Sequence, residues 1–112
     1  MKSFEDIIAW QNAKTLTLEI YNSLISCTDY SFRDQIRRAS VSIMNNIAEG
    51  FERNSDKELR YFLYIAKGSC GEVRSMLCLC LELSYINQDK YDYLNDLSTS
   101  TSRLLSGFIK KL

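Results

Sequence analysis

Two carboxylates, four thiols and a line of cations are the residues of this chain with chemistry to offer. Glu49 and Glu72 sit in helical stretches where they could approach each other. One reading makes them a catalytic or metal-binding carboxylate pair. Di-metal bundles, however, usually add Glu-x-x-His motifs, and the chain has no histidine. That same absence removes the usual general base near neutral pH, any histidine-centred triad and the commonest metal ligand. The sequence therefore favours a structural network between two helices, made of Arg38, Asn46, Glu49, Ser69 and Glu72, and predicts no enzyme, no metal and no cofactor.

The thiols are Cys27, Cys70, Cys78 and Cys80. Cys78-Leu79-Cys80 resembles neither a zinc knuckle nor a redox pair. On a helix its two thiols point about 200° apart and cannot share a metal. Cys70 and Cys80 are expected as small core residues. The cations are Arg60, Lys67 and Arg74, which recur every seven residues. They drift only about 20° per heptad and so form one line along a helix. Arg33 and Arg37 add a second small cluster. Such lines can hold phosphates. On one copy the bland expectation is a solvated charged face. Repeated around a ring, weak contacts would add up.

These side chains need elements to carry them. The chain has 112 residues, enough for one domain over 1–112. It is 46% apolar and 25% charged, which excludes a disordered tail and a membrane protein. Fourteen basic and fourteen acidic residues cancel, so bulk charge gives no reason for avid nucleic-acid binding. The opening Met1-Lys2-Ser3-Phe4-Glu5-Asp6 lacks a signal-peptide run, and no uncharged apolar stretch reaches the ~18 residues of a membrane span. A cytoplasmic protein without a membrane partner is expected. There is no proline and there are only four glycines, too few turns for an all-β fold.

The apolar residues instead repeat at helical spacing. The first helix is predicted from Glu5 or Asp6 to Ser26, after a capping box of Ser3 and Asp6. Its stripe is Ile7, Trp10, Leu18, Tyr21 and Ile25, widened by Ala13, Ile20 and Leu24. The second is predicted from Ser31 to about Arg53 with core residues Phe32, Ile36, Ala39, Ile43, Ile47 and Gly50. Ser55-Asp56-Lys57-Glu58 is a full capping box and opens a third helix to about Ser84. Asn87 caps a fourth from Gln88 to Lys111. Short breaks between the helices imply an all-α, up-down-up-down antiparallel four-helix bundle.

A bundle helix needs one apolar stripe. The third helix has a second, made of Tyr61, Ile65, Gly68, Met76, Leu79 and Leu83. It lies well away from the core stripe, and Glu72 is its one charge. Gly68 in mid-helix points to a backbone approached by another. The second helix adds Val41, Met44, Ala48 and Phe51 outside its stripe. Excess of this kind predicts that the second and third helices bury another face against a second copy.

The stretch from Phe32 to Glu72 contains Asn46-Ile47-Ala48-Glu49-Gly50-Phe51 and Ala66-Lys67-Gly68-Ser69 followed by Glu72. With Phe4-Glu5-Asp6 and Trp10-Gln11, it resembles the bacterial four-helix proteins called 23S rRNA intervening-sequence proteins, over nearly the whole chain. The resemblance implies a ring-shaped homopentamer. It also carries over Arg38, Asn46, Glu49, Gly50, Gly68, Ser69 and Glu72 as structural residues. The family takes its name from reading frames inside inserts in large-subunit rRNA genes, and members are sometimes labelled ribosomal proteins. It is similar to the accessory variability determinant protein of diversity-generating retroelements, a basic pentamer that binds nucleic acid and a reverse transcriptase. This chain departs from the pattern with Met44, where the family often has proline, and with its neutral charge. The resulting expectation is a non-enzymatic oligomer that contacts RNA or a ribonucleoprotein through Arg33, Arg37, Arg60, Lys67 and Arg74. The alternative is a protein–protein scaffold ring without nucleic acid.

Overall fold

The computed structural model describes all residues, Met1–Leu112. A one-turn 3-10 helix at Phe4–Asp6 precedes four α-helices: α1 Ile8–Ser23, α2 Tyr30–Glu52, α3 Asp56–Glu82 and α4 Gln88–Lys110. α1 and α3 each touch α2 and α4, and neither touches the other. The helices thus stand at the corners of an up-down-up-down bundle 43 Å long, with α1 diagonal to α3 and α2 diagonal to α4.

Side-chain caps set three of the four starts. Ser55 Oγ accepts the Glu58 N–H at 3.1 Å, as the sequence predicts. Asn87 Oδ1 accepts the Lys90 N–H at 2.8 Å. α2 starts one residue earlier than expected, because Asp29 and not a serine is its cap, accepting the Phe32 N–H at 3.2 Å. The Ser3–Asp6 signal caps the 3-10 turn instead of α1, with Asp6 accepting the Ser3 N–H at 3.3 Å. Ile7 is extended, so α1 begins only at Ile8. At the far end of α3, Ser84 takes a φ of 60°. The Tyr85 N–H then reaches the Cys80 carbonyl at 2.9 Å and the Ser84 N–H reaches that of Leu81 at 2.9 Å, a Schellman closure built without glycine.

The core residues expected on α2 face inward, Ile36, Ile43 and Ile47 among them, and Leu63, Ala66, Val73 and Leu77 of α3 and Leu94 and Leu105 of α4 are buried beside them. Cys70 and Cys80 lie among them. α1 is the exception. Its buried residues are Ala9, Ala13, Leu16, Thr17 and Ile20, continued by Leu24. Leu18, Tyr21 and Ile25, expected inside, are 55%, 39% and 73% exposed. Ile7, Ala13, Ile20 and Leu24 of the expected stripe do face inward, joined by Ala9, Leu16 and Thr17, so the helix turns only part of that stripe to the core. Gly50 marks the closest helix approach. A Cβ there would lie 2.8 Å from the Cβ of Phe62, which no real side chain tolerates, so α2 and α3 meet at this point because the residue is glycine.

The two linkers at one end are tied together. The Tyr85 hydroxyl donates to Asp29 Oδ2 at 2.7 Å, and its ring meets Phe32 edge-on at 5.4 Å. Asp29 thereby serves the α2 cap and the α3–α4 linker at once. Its hydrogen bond to the phenol pushes Tyr85 up to about 12.

Candidate nucleic-acid and assembly surfaces

α3 brings three cations onto one edge. Arg60, Lys67 and Arg74 are all half-buried along their stems. Successive members are about 10 Å apart along the axis, at 1.5 Å per residue. None forms an ion pair, and none donates a side-chain hydrogen bond within the chain. Arg74 Nε is buried with no acceptor. A guanidinium held by its stem with its donors unused is suited to an incoming anion.

Arg33 and Arg37 do not join this line. Arg33 pairs with Asp34 at 3.1 Å and lies over the Tyr30 ring. Arg37 donates to the Tyr21 carbonyl at 3.2 Å and stacks on the Tyr21 ring, which binds α2 to α1. Both pairs of partners belong to α1 and α2, whereas Ser98 of α4 reaches the Cys70 carbonyl on the flank of α3 that carries the cation line. The five cations therefore occupy two separate edges, and only the α3 edge is without partners.

The polar group between α2 and α3 is smaller than the sequence implies. Ser42 Oγ and Ser69 Oγ are 3.0 Å apart, and Asn46 Nδ2 donates to the Ser42 carbonyl at 2.8 Å and to its hydroxyl at 3.0 Å. Ser42, which is not among the expected network residues, is the hub. Glu49 is held by Arg53 one turn on, not by α3. Arg38 and Glu72 are exposed and make no side-chain hydrogen bond. Arg38, Asn46 and Glu49 also line an open depression of about 470 Å³ with Tyr21, Val41 and Ser42. No group of three or more Cys, Asp or Glu side chains is arranged to hold a metal ion.

The second face of α3 opens outward in the single chain. Tyr61, Leu79 and Leu83 are 63%, 48% and 45% exposed, and Ile65 and Met76 are half-buried. A Cβ at Gly68 would meet nothing within 4 Å. α2 behaves differently, since Met44 and Phe51 pack on the chain's own core. A second outward apolar strip lies instead on α1 and the turn after it, at Leu18, Tyr21 and Ile25. Its sequence signal was present in the doubled apolar periodicity of α1, which admits two alternative stripes.

The thiols divide by burial. Cys78 is exposed, 3.6 Å from the Tyr91 hydroxyl, whereas burial pushes Cys70 up to about 12 and Cys80 up to about 11. Beside the amino-terminal segment, Ile7, Ile8, Leu104 and Phe108 line an open apolar groove of about 640 Å³, rimmed by Asp6 and Arg103. No helix is long and apolar enough to cross a membrane.

A profile of the 23S rRNA-intervening sequence protein family matches residues 5–107. No curated protein matches the chain. Among solved structures, a crystal structure from Bacteroides thetaiotaomicron VPI-5482 superposes with a TM-score of 0.86 at 26% identity, covering 92% of this chain and 99% of that one. It is described as a protein of unknown function from the S23 ribosomal protein family. Four helices in this arrangement and a match over most of their length make the chain a member of the 23S rRNA-intervening sequence protein family.

Proposed function

We propose that this chain is a non-enzymatic, self-assembling binding protein that contacts RNA or a ribonucleoprotein through the α3 edge. The carrying observation is the line of Arg60, Lys67 and Arg74, three cations with no partner in their own chain. The family's name and the ribosomal description of the Bacteroides relative are consistent with an RNA target. Arg33 and Arg37 are secondary contributors, because each already has a partner to give up. The net charge is zero, so affinity must come from this local line and from its repetition in an assembly, for which a homopentamer is the family expectation.

The test is RNA retention at low salt with Arg60, Lys67 and Arg74 all changed to glutamine. The triple variant is expected to lose retention, and the log–log salt slope of binding to drop by about two to three, near 0.7–0.9 per lost phosphate contact. Unchanged retention overturns the assignment. The exposed apolar strips on α1 and α3 favour a second reading, a scaffold ring that docks another protein. A partner that stays bound after nuclease treatment supports that reading over the first.

A further inference from the structure

Two strips at opposite corners of the bundle share one pattern. On α1 and the turn after it, Lys14, Leu18, Tyr21 and Ile25 are spaced four, three and four residues apart. On α3 and its C-cap, Glu72, Met76, Leu79 and Leu83 have the same spacing in the same direction. Four-three spacing is that of a seam between two helices. Each strip is headed by an exposed charge, of opposite sign, and neither Lys14 nor Glu72 has an ion-pair partner in its own chain. The other charge on α1, Glu19, is occupied by Lys90 of α4 at 3.5 Å.

We propose that these strips are the two halves of one contact between copies. The α1 strip of one copy lies parallel on the α3 strip of the next, with Lys14 paired to Glu72, Leu18 on Met76, Tyr21 on Leu79 and Ile25 on Leu83. The proposal rests on the reading that the chain assembles, and it specifies how. The two strips are different surfaces, so a contact of one on the other is heterologous, and repeated from copy to copy it runs head to tail around a ring. α1 and α3 point the same way in an up-down-up-down bundle. Copies related by rotation about an axis along the helices therefore present them in parallel.

Height selects the same register. The strips end at Ile25, just past the α1 C-cap Leu24, and at the α3 C-cap Leu83, and the Asp29–Tyr85 hydrogen bond joins the linkers that follow. Both strips thus finish at one end of the bundle. A closed ring has no rise between copies and sets equal heights side by side, which is the register that pairs Lys14 with Glu72. The other half of the α3 face, Tyr61, Ile65 and Gly68, also has this spacing. In a parallel contact it would leave Lys14 against Tyr61 and press Ile25 onto Glu72.

Subunit number and dissociation should be measured by light scattering and mass photometry on wild type, Lys14→Glu, Glu72→Lys and the double reversal. Both positions are exposed, so in the dissociated chain the single variants are expected to unfold like wild type. Each single reversal should weaken association about tenfold or more by setting like charges together, and the double should recover the wild-type subunit number. Single reversals without effect, or a double no better than the weaker single, overturn the pairing. A wild type that stays one chain across the concentration range overturns the assembly reading beneath it.

Discussion

The two diagonals of the bundle do different work. α2 and α4 turn mainly charge outward, Arg38, Glu49 and Glu52 on α2 and Asp89, Asp92, Asp96 and Arg103 on α4, with one exposed tyrosine each, Tyr30 and Tyr93. α1 and α3 have equally good inner stripes but turn Leu18, Tyr21, Ile25, Tyr61, Leu79 and Leu83 outward. Folding the single chain accounts for the inner residues of all four helices. It does not account for the outer residues of α1 and α3, which contribute little to this fold and expose apolar area to water. The difference separates the residues the chain needs to fold from those that the proposed contact between copies would use.

The comparison breaks first if the two classes of position respond alike. Ile43→Ala or Leu63→Ala should cost about 2–5 kcal/mol in denaturant unfolding, because each empties a fully enclosed site. Leu79→Ser or Leu83→Ser should cost under about 0.5 kcal/mol in the dissociated chain, while abolishing any dependence of the melting temperature on protein concentration. The glycines sharpen the same contrast. Gly50→Ala should cost about 1–3 kcal/mol by forcing α2 from Phe62, whereas Gly68→Ala should gain up to about 1 kcal/mol when dissociated. At the α3 terminus, Ser84→Gly should gain about 1 kcal/mol by relieving a left-handed backbone that serine adopts poorly.

The smallest effect at neutral pH concerns the thiols. Cys70 stays protonated to about 12 when folded and ionises near its ordinary value of about 9 when unfolded. Its contribution to stability is complete below about pH 9 and is lost as the pH rises toward 12. Between about pH 9 and 12 the wild type should therefore lose stability that Cys70→Ala, which has no thiol to ionise there, keeps, as read from alkaline unfolding curves. A thiol reagent should label Cys78 in the folded chain and reach Cys70 and Cys80 only on unfolding.

Much of this was legible in the residues. Ser55 and Asn87 announce their helices because a cap is a local hydrogen bond between near neighbours. The α2 and α3 stripes are unambiguous because charge fills the positions between them or marks a clear second face. α1 was legible in part: Ile7, Ala13, Ile20 and Leu24 are inside as expected, but Leu18, Tyr21 and Ile25 lie outside while Leu16, the same size as Leu18, lies inside, because the helix carries two apolar stripes and spacing does not say which one faces the core. The Ser84 closure had no glycine to signal it. The polar group was over-drawn because spacing puts Glu49 and Glu72 on suitable helices, but whether two side chains meet depends on helix rotation and on nearer partners such as Arg53. The cation line was readable from its heptad period. That Arg37 is already engaged was not, since Tyr21 comes from a different helix.

The Asp29–Tyr85 hydrogen bond has a dynamic consequence. It joins the two linkers at one end of the bundle, while the other end holds the α2–α3 linker and both chain termini. Amide deuterium uptake should therefore be graded along the long axis, slow around Leu24–Phe32 and Leu81–Ile86 and fast near Ile8 and Lys110. In Tyr85→Phe that gradient should flatten, with fraying admitted from both ends of the rod instead of one.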